Sequence, residues 1–221
     1  MTSTLIIGAS RGLGLEFVRQ GVADGHAVWA TARRRDDLSR LRGLGAHPLL
    51  LDVAQAHAAE DLTAGIGAQR FDVVVLCAGL GDGLDAPQAP APGQFDAVLR
   101  ANVLGPMQLL SVVAEALVPG GRLAVLSSRM GSIGERRAPT RWLYRASKAA
   151  LNSVVKDAAL AFAGRITCVS LHPGWVRTDM GGPDADLSPA DSVAGLRRVI
   201  AGLTPADSGR FLDHTGEAIP W

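Results

Sequence analysis

Tyr144 is the only tyrosine in the chain, and one of only two lysines, Lys148, stands four residues after it. Four residues is one helical turn, so on a helix the two side chains share a face. A free phenol titrates near pH 10, too high for an efficient base at neutral pH. A cation within about 4–6 Å favours the phenolate by 1–3 units. The pair therefore has the makings of a proton-transfer couple at a substrate oxygen. The plainer alternative is two polar residues on a solvated helix face. Three features weigh against it. The tyrosine is unique, the lysine stands where nearly all other basic residues are arginine, and an apolar run ending in Ser127-Ser128 precedes the pair.

A second constellation opens the chain. The apolar run before Gly8 leads straight into Gly8-Ala9-Ser10-Arg11-Gly12-Leu13-Gly14. Glycines so placed let the backbone turn tightly and approach a pyrophosphate, which the free N–H groups of a following helix can hold. A glycine cluster alone also fits an ordinary strand-to-helix turn; its position between a strand and a helix at the start of a βαβ series favours the nucleotide. The spacing is G-x-x-x-G-x-G, not G-x-G-x-x-G. The next strand ends in Arg33-Arg34, with no carboxylate before Asp36. An acid there would bind ribose hydroxyls, whereas arginine accommodates an extra phosphate. With Arg11 in the loop, the expected cofactor is NADP(H) in preference to NAD(H). Arg35 reads as a solvated helix-start residue.

These groups need a scaffold. Short β-branched runs at 4–8, 27–32, 48–51, 73–77, 123–127, 166–171 and 210–212 read as strands. Segments of helical period at 14–22, 36–41, 58–66, 95–117, 145–162 and 189–203 read as helices. This alternation predicts an α/β Rossmann fold, with a doubly wound seven-stranded parallel sheet and helices on both faces. It uses the whole chain, so one domain over residues 1–221 is expected. A Gly/Pro/Asp-rich loop at 79–93 follows the fourth strand, on the carboxyl edge where open α/β sheets bind ligands. A second such cluster, 181–189, follows the sixth.

Composition removes other classes. A net charge of +1, with scattered arginines, argues against a nucleic-acid partner. No uninterrupted run of about 18 apolar residues occurs, so no membrane span is expected. The N-terminus lacks a signal-peptide pattern, and a cytoplasmic location is expected. Cys77 and Cys168 lie in apolar runs that suit buried thiols rather than a disulfide. His26, His47, His57, His172 and His214 are dispersed, without metal-site spacing.

Taken together, the glycine pattern, Asn102, Ser128 and Tyr144-x-x-x-Lys148 resemble the short-chain dehydrogenase/reductase family. The run from Leu171 to Gly182 and the ending Ile219-Pro220-Trp221 are similar to its small carbonyl-reductase-like branch, which includes the C-factor and Sniffer proteins. The likeness spans almost the whole chain. It implies that Tyr144 exchanges the proton at the substrate oxygen. Lys148 would hold the nicotinamide ribose and acidify the phenol, Ser128 would hydrogen-bond the substrate, and Asn102 would complete the tetrad. Ser127 and Ser132 fit the serine's role less well. Asp52, followed by Val53, would meet the adenine, Ala78 and Gly79 end the family's N-N-A-G, and Pro173, Gly174, Val176 and Thr178 would lie by the nicotinamide. The cofactor would thus touch Gly8, Ser10, Arg11, Gly12, Leu13, Gly14, Arg33, Arg34 and these residues. Leu76 and Cys77 replace the two asparagines, and Ile7 stands where threonine is common.

The implied reaction is hydride transfer between NADP(H) and a ketone, aldehyde or secondary alcohol. Leu80, Met130, Trp142, Trp175 and Met180 flank the expected site as candidate pocket walls, with core packing as their alternative. His172 and Asp179 read as structural. A cofactor-binding signalling or sensor protein with incidental turnover is the rival reading, since fold does not fix function. The partner is a small carbonyl or alcohol substrate. Family members pair through two long helices, here 95–117 and 145–162, which leaves homodimer, homotetramer and monomer open.

Overall fold

The computed structural model describes residues 2–84 and 88–221. Residues 85–87 of the expected loop at 79–93 lie outside the described residues. Seven strands are present: β1 (Ser3–Ile7), β2 (Ala27–Ala32), β3 (His47–Leu50), β4 (Phe71–Leu76), β5 (Leu117–Leu126), β6 (Thr167–His172) and β7 (Phe211–Asp213). Between them run α1 (Gly12–Ala23), α2 (Arg35–Gly43), α3 (Ala58–Ile66), α4 (Pro92–Leu99), α5 (Gly105–Ala116), α6 (Trp142–Ala161) and α7 (Pro189–Gly202).

All strands pair in parallel in the order β3-β2-β1-β4-β5-β6-β7. Alternate side chains of each strand feed two separate cores. Leu5, Ile7, Val74, Leu76, Leu123 and Val125 face α3, α5 and α6. Ile6, Val28, Ala30, Val75, Ala124 and Val169 face α1, α2 and α7. Burial on both faces explains why the strands read as nearly continuous apolar runs. The strand order reverses between β1 and β4, and the crevice at their carboxyl ends is where such sheets bind ligands. The glycine turn leaves β1 at that point.

Three departures from the expected elements shape the site. The helix expected over 95–117 is split: α4 and α5 are joined by a π-helical turn, Arg100–Leu104, that holds Asn102. A π turn widens the helix by one residue and re-aims its side chains. The strand expected from 123 starts at Leu117, pairing with Phe71 before a register shift. The helix expected from 145 begins at Trp142, so Tyr144 lies within its first turn.

By length and composition alone, Pro92–Ala116 is long and apolar enough to cross a membrane, a test that the core helix of a folded protein also passes. Here its residues Val98, Leu109, Leu110 and Val113 are buried in the protein.

Candidate active site

The turn after β1 is built for close backbone approach. Gly8 has φ +89, and a Cβ there would stand 2.6 Å from the backbone nitrogen of Ala78. A Cβ on Gly14 would collide with the carbonyl of Gly8 itself. Both positions therefore exclude any larger residue. Thr31 at the end of β2 braces the turn, its hydroxyl accepting from the Gly8 N–H at 2.9 Å and its carbonyl from the Ala9 N–H at 2.8 Å. Arg40 donates to the Ser10 carbonyl. Among the described residues, α1 has no side-chain cap and no acid in its first turn. Its leading N–H groups and positive dipole end are thus left for an external anion.

A cleft of about 540 Å³ extends from this turn. Of the residues singled out for cofactor, its walls include Gly8, Ser10, Arg11, Gly12, Leu13, Gly14, Arg33, Asp52, Val53, Ala78, Gly79, Tyr144, Lys148, Pro173 and Thr178. Leu80 and Met180 line it as well. Arg34, Asn102, Ser128, Gly174 and Val176 do not form its walls. Arg34 is exposed and paired with Asp36 at 3.3 Å. Val176 is buried and bridges to Leu187, and a Cβ on Gly174 would meet Leu187 and the His214 ring. Met130, Trp142 and Trp175 also stand apart from it. The two indoles are half exposed, donating to the carbonyls of Pro139 and Gly181. Arg11 reaches across the mouth to Asp179 at 2.9 Å, an exposed pair.

At the far end Tyr144 and Lys148 are both buried. The Lys148 ammonium donates to the Leu126 carbonyl at 3.0 Å and lies 5.9 Å from the centre of the tyrosine ring. Burial pulls its pKa down to about 8, with the Cys77 thiol opposing. Burial also holds the phenol above its ordinary value; the Ser128 hydroxyl beside it and the Arg141 guanidinium act in the other direction. The strongest identified cation at the phenol is therefore Arg141, whose guanidinium carbon sits 4.9 Å from the ring centre. Ser128 accepts from the Met130 N–H at 3.2 Å. Of its rivals, Ser127 lines the cleft but donates to Asn152, and Ser132 donates to the Pro220 carbonyl.

Asn102 is fully buried behind the cleft wall. Its side-chain oxygen accepts from the Leu80 N–H at 2.7 Å, and its amide nitrogen donates to the Leu80 carbonyl at 2.9 Å and to Ser147 Oγ at 3.0 Å. It fixes the start of the loop after β4. Asp82, Arg141 and Thr31 belong to the same region but escaped the sequence reading, and Cys77, read as a buried thiol, lines the cleft as well. Asp82 and Arg141 lie 59 positions apart, and only the fold joins them. Thr31 carried a usable signal, a hydroxyl residue among apolar ones at the end of a strand.

Comparison with known proteins agrees with this geometry. The short chain dehydrogenase family model matches residues 2–186. The C-signal protein of Myxococcus xanthus is 48% identical over 124 residues, covering 54% of this chain and 74% of that protein. The carbonyl reductase Sniffer of D. melanogaster has a TM-score of 0.90 at 29% identity, with 100% of both chains covered. A Burkholderia multivorans short-chain dehydrogenase/reductase with bound NADP has a TM-score of 0.89 at 30% identity, covering 100% of this chain and 99% of the other. With its motifs in order on a parallel sheet and the family model spanning most of its length, this chain belongs to the short-chain dehydrogenase family.

Proposed function

We propose that this chain, acting as one domain over residues 1–221, is an NADP(H)-dependent carbonyl reductase, able to run in reverse on alcohols, with Tyr144 as general acid/base. The observation that carries this reading is the burial of Tyr144 and Lys148 together at the end of a cleft that begins at the glycine turn. The cleft suits a dinucleotide. Gly8 admits no Cβ, the start of α1 is uncapped, and Arg33 stands at the lip with no carboxylate at the end of β2. Arg11 and Arg33, which line the cleft, are the arginines that would meet the additional phosphate; Arg34 stands outside its walls. Asp52 and Val53 would meet the adenine.

When bound, the reduced nicotinamide supplies the hydride. The chain's own residues handle the oxygen. Ser128 would donate a hydrogen bond to the substrate oxygen as charge develops there. Tyr144 would deliver its proton to that oxygen, a contribution of about 10²–10⁴ in rate. Burial holds the phenol above its ordinary value, and the protonated phenol is the form that donates in reduction. In oxidation the phenol must first lose its proton, and there the cations of Arg141 and Lys148 help. Lys148 would also hold the nicotinamide ribose. Asn102 would serve by fixing Leu80 in the cleft wall. The neighbours Sniffer and the Burkholderia protein, by their descriptions a carbonyl reductase and an NADP-bound relative, support the assignment.

The likeness to the C-signal protein keeps a second reading, a cofactor-binding signalling protein with incidental turnover. That reading has no use for a buried phenol and lysine beside Ser128. One experiment separates the two: a panel of ketones and aldehydes assayed by loss of NADPH absorbance, repeated with NADH. Reduction of at least some members, faster with NADPH, is expected. Binding of NADPH with no carbonyl turned over would favour signalling, and a preference for NADH would overturn the cofactor assignment.

A further inference from the structure

Arg141 is the only non-glycine residue with positive φ among the described residues, at φ 55. That conformation is disfavoured for a side chain with a Cβ and common for glycine. Such outliers persist where surrounding contacts fix them, often at functional sites. The contacts here are specific. Arg141 Nε donates to Asp82 Oδ1 at 3.1 Å, and the Asp82 side chain is wholly buried. The other carboxylate oxygen of Asp82 accepts from the backbone N–H of Tyr144 at 2.9 Å. A carboxylate borrowed from the loop after β4 thus caps the first turn of α6, where Arg141 itself offers no side-chain cap. The guanidinium lies over the Tyr144 ring, and a Cβ on Gly81 would stand 3.2 Å from its outer nitrogen.

We propose that Asp82 and Arg141 form a latch that positions Tyr144: the carboxylate holds the first turn of α6, and the guanidinium holds the face of the phenol ring. The inference rests on the acid/base reading of Tyr144. The latch joins the loop after β4 to the head of α6. Gln94 ties the same loop from the other side, donating to the Asp82 carbonyl at 2.5 Å. The charged and titratable groups around the phenol are Lys148 and Arg141 on and beside α6, Asp82 after β4, and Cys77 at the end of β4 beside Lys148; the Ser128 hydroxyl after β5 adds a hydrogen bond. Arg141 and Asp82 act on the phenol in opposite senses, the cation easing its ionisation and the carboxylate opposing it.

Because Tyr144 is the only tyrosine, tyrosinate ultraviolet absorbance reads this phenol alone. The test titrates the full-length protein and its Arg141→Gly, Arg141→Lys and Asp82→Asn variants, alongside NADPH binding by fluorescence and the pH profile of kcat for oxidation of a secondary alcohol. Arg141→Gly relieves the backbone, so a purely conformational role predicts no loss. The latch predicts that its titration and its kcat limb move up by roughly one unit, the low end of the effect of a nearby cation. At pH values below the limb, kcat for oxidation then falls about tenfold, with NADPH affinity unchanged. Arg141→Lys keeps the cation and restores most of the shift, whereas Asp82→Asn moves the titration down. Unmoved titrations with an inactive Tyr144→Phe would overturn the latch alone. Moved titrations with a fully active Tyr144→Phe would overturn the acid/base reading instead.

Discussion

Asn102→Ala removes a side chain that ties the loop after β4 to α6, with two hydrogen bonds to Leu80 at 2.7 and 2.9 Å and one to Ser147 at 3.0 Å. The alanine leaves the Leu80 N–H and C=O without these partners. Stranding a buried polar group costs about 1–3 kcal/mol. Leu80 is only half buried, so water can reach part of its backbone and the low end applies, roughly 1 kcal/mol for each of two groups. The space vacated at a fully buried site adds on the order of 1 kcal/mol. The expected loss is about 3 kcal/mol. For a chain of this length it lowers Tm by roughly 6–12 °C. Differential scanning calorimetry checks it. Two further variants fix the mechanism. Asn102→Asp keeps the acceptor for the Leu80 N–H but turns a second acceptor toward the Leu80 carbonyl, and it is expected to be at least as damaging. Ser147→Ala removes one bond of the three and is expected to cost no more than about 1.5 kcal/mol. Because Leu80 lines the cleft, kcat is expected to fall in Asn102→Ala even at temperatures where the variant is folded. A Tm within 2 °C of the parent, or Ser147→Ala more damaging than Asn102→Ala, would show that the amide does not hold the loop.

Gly8→Ala forces a Cβ to within 2.6 Å of the Ala78 nitrogen at a positive φ; NADPH affinity measured by fluorescence is expected to drop at least tenfold. Arg33→Ala is expected to weaken NADPH about tenfold while leaving NADH within twofold, as the ratio of the two dissociation constants will show. His172 has its pKa lowered to about 4 by burial, with Arg129 adding to the effect. An unfolded histidine titrates near 6.5, so between pH 6.5 and 4 the unfolded chain binds the extra proton and stability falls as pH falls. Tm followed over that window is expected to decline less steeply in His172→Gln, and parallel curves would refute the assignment.

Much of this molecule is legible in its sequence for a physical reason. Strands buried on both faces must be apolar throughout, so β1, β4 and β6 declare themselves as runs. Tyr144 and Lys148 announce their contact because helix geometry converts a spacing of four into a shared face. The π turn at Arg100–Leu104 is hidden, because one additional residue in an already apolar segment barely disturbs its periodicity. The early start of β5 is masked by Pro119-Gly120-Gly121, which reads as a turn. Asp82 and Arg141 carry no local pattern; strand order alone places them together. Trp142 and Trp175 have the right positions for pocket walls, yet their rings bond to nearby carbonyls outside the cleft, a matter of rotamer rather than spacing.

The proton carried by the sole phenol is tested most directly by Tyr144→Phe, which removes one oxygen and preserves the buried ring. Steady-state reduction of a carbonyl substrate found in the panel is measured beside NADPH binding to the same preparation. Turnover at least a hundredfold lower with the NADPH dissociation constant within twofold of the parent is the expected result. Turnover equal to the parent would contradict the assignment of Tyr144 as the acid/base.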